Sequence, residues 1–203
     1  MAKESNDDRT MWLVVALLAV LLFGALWASL TPEYLLKVMA GERRYVMELA
    51  GAKADVWIYT RTSEFALPLA KEVSAAITEQ GGKTDTPESI RLWTQERILS
   101  SWLWITLIMY RVYTMQIFFM ILLPFTFAIM ADGWEARLIR TYQFSTQSPI
   151  RHRFGVVMSM IAMSITSIVM VLPIPVPTIL LPLAIVVIGW ATWIWTCNLQ
   201  KRV

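Results

Sequence analysis

The chain has 203 residues, of which 57% are hydrophobic and only 16% charged, well below the ~25% of soluble domains. A net charge of +3 is too small and too dispersed for a nucleic-acid-binding surface, so no direct nucleic-acid contact is expected. One cysteine, Cys197, excludes an internal disulfide and a thiolate metal cluster.

Residues 1–10 form a short tail with Lys3 and Arg9. Residues 11–30 carry no charge and have Trp12 and Trp27 near their ends, where amphipathic rings favour the membrane interface. They read as a first transmembrane helix. The stretch is too long for a signal-peptide core, and no clear small-residue cleavage site follows.

Residues 31–110 read as a helical extracytoplasmic segment. Pro32 suits a first helical turn. Leu35, Met39, Val46, Ala50 and Trp57 fall at helical spacing, with Lys37, Glu42, Arg43, Arg44, Glu48 and Lys53 between them. Phe65, Leu69, Val73 and Ile77 continue the pattern until Gly81-Gly82 breaks it. Thr86 then reads as an N-cap with Pro87 at the first helical position. No breaker follows until Pro124, so one long helix is expected to start outside. It carries Trp93, Trp102 and Trp104 through the interface and enters the membrane near Arg111. The outer helices are too small to bury a large core alone. They are expected to lie against the membrane surface, each other or a partner.

Residues 111–131 form the second span. Arg111 is followed by twenty uncharged residues before Asp132, enough to fill ~30 Å of hydrocarbon. That places Arg111 at the outer interface between Tyr110 and Tyr113, as a snorkelling anchor or, alternatively, an inter-helix or partner contact. Asp132-Gly133 is expected to close the helix, with Gly133 in the left-handed conformation. A carboxylate opposes the macrodipole there, so Asp132 should draw Arg137 or Arg140 to it.

Residues 132–154 read as an Arg-rich loop holding Arg137, Arg140, Arg151, His152 and Arg153, a surface for headgroups or a partner. From Phe154 to Gln200 there are 47 consecutive uncharged residues, interrupted by Pro173-Ile174-Pro175-Val176-Pro177. This reads as two spans, 155–172 and 178–197, joined by an outer turn at 173–177 where proline cannot continue a helix. Gly155, Ser159, Ala162 and Thr166 form a small-residue stripe that lets helices approach closely, either within the chain or against another subunit. Residues 198–203 end the chain with Lys201 and Arg202.

The fold expected is therefore an all-α integral membrane protein with four transmembrane helices and a helical extracytoplasmic segment. Arginines gather in the first tail, the 132–154 loop and the last tail, whereas the proline turn has no charge. The positive-inside rule then puts both termini in the cytoplasm. The spans contain no Asp, Glu, Lys or His, which removes the usual proton or ion path. There is no Gly-rich phosphate loop and no Ser/His/Asp arrangement. No enzymatic activity, cofactor or metal is expected.

The last hundred residues resemble a known family through Tyr110-Arg111, Leu123-Pro124, Asp132-Gly133 followed by Arg137 and Arg140, then Ser148 and His152. The Pro173–Pro177 turn and the Lys201-Arg202 end fit as well, and the N-terminal half matches in layout. The family comprises inner-membrane proteins of conjugative plasmids and integrative conjugative elements. The resemblance implies a role in DNA transfer between bacteria, beside a TraD-type coupling ATPase that feeds a type IV secretion channel. It implies no enzymatic activity. The leading expectation is a non-enzymatic membrane subunit in a hetero-oligomer with the coupling ATPase or other secretion subunits. The alternative is an exclusion or membrane-stabilising factor acting alone.

Overall fold

The computed structural model describes residues 4–81, 87–143 and 148–199. These form six helices: α1 (Glu4–Ser29), α2 (Pro32–Ala50), α3 (Ala52–Gly81), α4 (Glu88–Tyr142), α5 (Pro149–Val171) and α6 (Leu180–Cys197). Among the described residues there is no strand. Lys3, Gly82, Thr86, Lys201 and Arg202, named above, lie outside the described residues.

Three helices are long and apolar enough to cross a membrane: α4, α5 and α6. Leu13–Ser29 of α1 makes a fourth only together with α2, from which a 93° bend separates it. The three helices leave large apolar side chains uncovered, including Phe127, Ile121, Met160 and Ile165. Such faces match a lipid environment rather than water.

Two boundaries differ from the sequence reading. The first is at Asp132-Gly133, where no helix ends. α4 runs on for 55 residues to Tyr142, through both Pro124 and Gly133. Gly133 serves close packing instead of a left-handed turn. A Cβ there would lie 3.1 Å from Trp193 Cδ1 and 3.4 Å from Thr196 Cβ. Most of the expected 132–154 loop is thus helical, split between the ends of α4 and α5.

The second difference is a break between α2 and α3. Gly51 has φ +87°, a left-handed conformation that favours glycine. Its N–H donates to Met47 O at 3.1 Å, closing the last turn of α2. Flanking alanines hid this cap from a reading by spacing alone. Gly51→Ala should destabilise the fold by about 1–2 kcal/mol, measurable as a lower unfolding midpoint in detergent. An unchanged midpoint would show that the turn tolerates a Cβ.

The chain divides into two units, Met1–Lys37 with Pro68–Ile105 and Val38–Leu67 with Thr106–Val203. In the first, aromatic rings join α1 to the start of α4. Phe23 stacks on Trp104 at 5.2 Å, and Trp27 meets Trp93 edge-on at 6.2 Å. Trp27 Nε1 donates to Ser101 Oγ at 2.9 Å. Arg97, also on α4, donates to the Trp27 and Ala28 carbonyls at 3.0 and 2.8 Å, satisfying acceptors that the end of α1 leaves open.

The second unit packs the remainder of α4 against the α5–α6 hairpin and a shorter hairpin made of the end of α2 and the start of α3. One apolar cluster joins Val46, Ile58 and Tyr110. Another joins Phe118, Leu181 and Ile185, with Ala50, Met115, Leu122 and Met170 packed on it.

Candidate functional site: a buried ion-pair cluster

On α2 the buried side chains Val38, Glu42 and Val46 recur every four residues, so Glu42 falls in the apolar stripe rather than opposite it. On α3 the stripe is Asp55, Ile58, Thr62 and Ala66. Two carboxylates are therefore carried into the interior by helical phase. An ionised carboxylate survives there only if paired and hydrogen-bonded.

Arg111 pairs with Glu42. Its Nε lies 3.1 Å from both carboxylate oxygens, and its Nη2 also donates to Oε1. The two side chains are 3% and 4% exposed, which rules out a head group reaching for solvent. The rest of the guanidinium serves the end of α5 and the proline turn. Nη1 donates to the carbonyls of Val169 (2.8 Å), Met170 (3.1 Å) and Leu172, and Nη2 to that of Ile174. A helix C-terminus leaves such carbonyls unpaired, and proline cannot supply the donors that would continue the ladder. Arg111 supplies them. Glu42 completes the clamp by accepting the Val176 N–H at 3.1 Å.

Arg111 is accordingly not the snorkelling anchor that its sequence position had indicated. It is a buried inter-helix contact that fixes the proline turn. Arg111 does sit at a helix end, that of α5. Its burial is made possible by Glu42, 69 residues away, whose carboxylate offsets the cost of burying the guanidinium.

The adjacent residue on α4, Tyr110, donates its hydroxyl to Asp55 Oδ1 at 3.0 Å. Arg43 completes that pair with a two-point contact, Nε to Oδ1 at 3.1 Å and Nη2 to Oδ2 at 2.7 Å, and lies over the Tyr59 ring at 4.2 Å. Two cations thus neutralise two anions within one cluster. Tyr110→Phe should lower stability by about 1–3 kcal/mol, because it leaves a buried Asp55 oxygen one donor short. A wild-type unfolding midpoint for that variant would show that Arg43 alone satisfies Asp55.

The opposite end of α4 is tied to α6. Asp132 accepts the Trp193 Nε1–H at 2.7 Å, and neither Arg137 nor Arg140 reaches back to it in the manner expected. Arg140 instead donates to Cys197 O and Asn198 Oδ1, both at 3.2 Å, at the C-terminus of α6. Arg137 lies over the Trp134 ring at 5.1 Å. Ser148, not recognised as a cap from sequence, accepts the Arg151 N–H at 3.4 Å and starts α5 with Pro149. His152 Nδ1 lies 3.4 Å from Trp195 O. Arg151 and Arg153 are exposed.

The small-residue stripe divides. Gly155 and Ser159 are buried. A Cβ on Gly155 would lie 2.7 Å from Trp195 N and 3.0 Å from Ala191 O, so Gly155 is where α5 crosses α6. Ala162 and Thr166 instead line an open apolar groove of about 270 Å³, with Leu181 and Ala184 on its far wall.

Three arginines of α4 therefore perform one task. Arg97 holds the C-terminus of α1, Arg111 that of α5, and Arg140 that of α6. Sequence reading singled out two of them and missed their shared acceptors, which are backbone carbonyls and leave no trace in side-chain patterns. Among the described residues, no group of three or more His, Cys, Asp or Glu could hold a metal ion. What the matched charges can do is position helices.

No curated protein and no solved structure matches the chain. A family profile does, over residues 43–200, and its description reads IncC plasmid conjugative DNA transfer protein DtrJ-like. The match covers almost the whole of the cluster, the α5–α6 hairpin and all three apolar helices, and it reaches well upstream of the hundred residues in which the resemblance was first visible. This chain belongs to the DtrJ-like family of IncC plasmid conjugative DNA transfer proteins.

Proposed function

We propose that the chain is a non-enzymatic, multi-pass inner-membrane subunit of the conjugative type IV secretion machinery, associated with the TraD-type coupling ATPase. The observation that carries this reading is the family match, which coincides with the membrane-crossing part of the chain. The charged groups of the cluster favour a positioning role, since Glu42 is matched by Arg111 and Asp55 by Arg43 and Tyr110. Both termini are cytoplasmic in this reading, and fusions at residue 60 and at the C-terminus should report opposite sides. Reporters on one side would overturn that topology.

Removing the gene from the donor should abolish or sharply reduce transfer, with restoration by the gene in trans. Removing it from the recipient should change nothing. The opposite pattern, normal donor activity with raised uptake by the recipient, would replace this reading with that of an exclusion factor.

A further inference from the structure

α2 and α3 meet at Gly51 in a helical hairpin, and three contacts fix the depth of its tip. Glu42 on one arm bonds Arg111, and Asp55 on the other bonds Tyr110. At those positions the hairpin is level with the end of α5, whose carbonyls Arg111 holds. Between them, toward the tip, Ala50 packs on the cluster of Phe118, Leu181 and Ile185. Phe118 lies two helical turns beyond Arg111 in the direction of Asp132, about 10 Å along the axis. The tip therefore runs alongside the uncharged stretch of α4 rather than past its end.

We propose that the α2–α3 hairpin is re-entrant: its Gly51 tip enters the hydrocarbon of the leaflet at the Arg111 end, and lipid acyl chains cover its outer face. This rests on the membrane reading of α4, α5 and α6. Met47, Leu49 and Val56 surround the tip and are all exposed, with Val56 at 61%. Just above them comes a belt of aromatic and basic residues. Arg43 lies over Tyr59, Arg61 lies 5.8 Å from the centre of the Trp57 ring, and Trp57 meets Tyr113 edge-on. Aromatic rings and long cationic side chains concentrate at the boundary between hydrocarbon and headgroups. Lys53 can snorkel from the tip, whereas the shorter Glu48 limits how deeply the hairpin enters. The same depth accounts for the complete pairing of Glu42 and Asp55, since an uncompensated carboxylate near the hydrocarbon is costly.

The test uses full-length protein carrying Cys197→Ser and one new cysteine, Ala52→Cys, Thr60→Cys or Ile165→Cys. Each is labelled with an environment-sensitive fluorophore and reconstituted into vesicles containing lipids brominated on their acyl chains. Quenching is expected at positions 52 and 165 and not at 60. In cells, a membrane-impermeant maleimide should react with position 52 more slowly than with position 60, by about tenfold or more. An unquenched label at 52 with a quenched label at 165 overturns the re-entrant hairpin and leaves the membrane reading intact. No quenching at 165 would overturn the membrane reading itself. Protection of position 52 in cells, combined with no quenching in vesicles, would mean that a protein covers the tip, which also overturns the proposal.

Discussion

Arg111→Lys is expected to cost about 3 kcal/mol or more, because several buried acceptors lose their donor at roughly 1–3 kcal/mol each. An ammonium has three donors at one point, whereas the guanidinium holds a carboxylate and four carbonyls at once. A lysine at this position could keep Glu42 or some of the carbonyls of the proline turn, and would leave the others without that donor, Leu172 O alone retaining the Ile174 N–H. Unfolding in detergent should show a markedly lower midpoint, and protein levels in the membrane should fall with it. An ion pair alone will not maintain the site. The swap Glu42→Arg with Arg111→Glu recreates an ion pair but removes every donor from the end of α5. A near-wild-type midpoint for Arg111→Lys, or rescue by the swap, would show that the pairwise charge matters and the carbonyl clamp does not.

Gly155→Leu is expected to have a comparable effect through a different mechanism. A Cβ at that position would sit 2.7 Å from Trp195 N, so backbone and not a flexible side chain would have to move. Helix association in lipid depends on close packing, and forcing α5 from α6 removes it where the two helices cross. We expect a loss of about 3 kcal/mol or more, at or beyond the upper end for overpacked cores. Ala162→Leu provides the contrast. Ala162 lines an open groove, and its extra methyl groups have room. Stability should remain near wild type for Ala162→Leu and collapse for Gly155→Leu. Equal loss in both would mean that the groove closes in the membrane.

The apolar stretches within α4, α5 and α6 and the proline turn were legible because hydrocarbon thickness imposes a length and proline a break, whereas a first span at 11–30 is not borne out by α1 alone. The long helix from Pro87 was legible because nothing interrupts it before Pro124. The end at Asp132-Gly133 was misjudged because glycine serves two purposes, a left-handed cap and a point of close approach. Only the position of Trp193 distinguishes them here.

The charged cluster was the least legible part. Glu42 runs into Arg43 and Arg44 and looks like part of a solvated face, although it is four residues from both Val38 and Val46 and shares their phase. That coincidence of phase was the available signal. Arg97, Arg111 and Arg140 each also donate to backbone carbonyls at a helix end, and no residue type announces those acceptors. Where a long helix in such a chain carries isolated arginines, the ends of the neighbouring helices are the first place to look for their partners.

The central claim is that this chain works as a membrane subunit bound to the transfer machinery, and purification from donor cells tests it most directly. Tagged chain is extracted from donors carrying the complete transfer system in a mild detergent, and the proteins recovered with it are identified by mass spectrometry. The account predicts recovery of the coupling ATPase, with Gly155→Leu reducing both that recovery and DNA transfer. Recovery of the chain alone, from cells that transfer DNA normally, would contradict it.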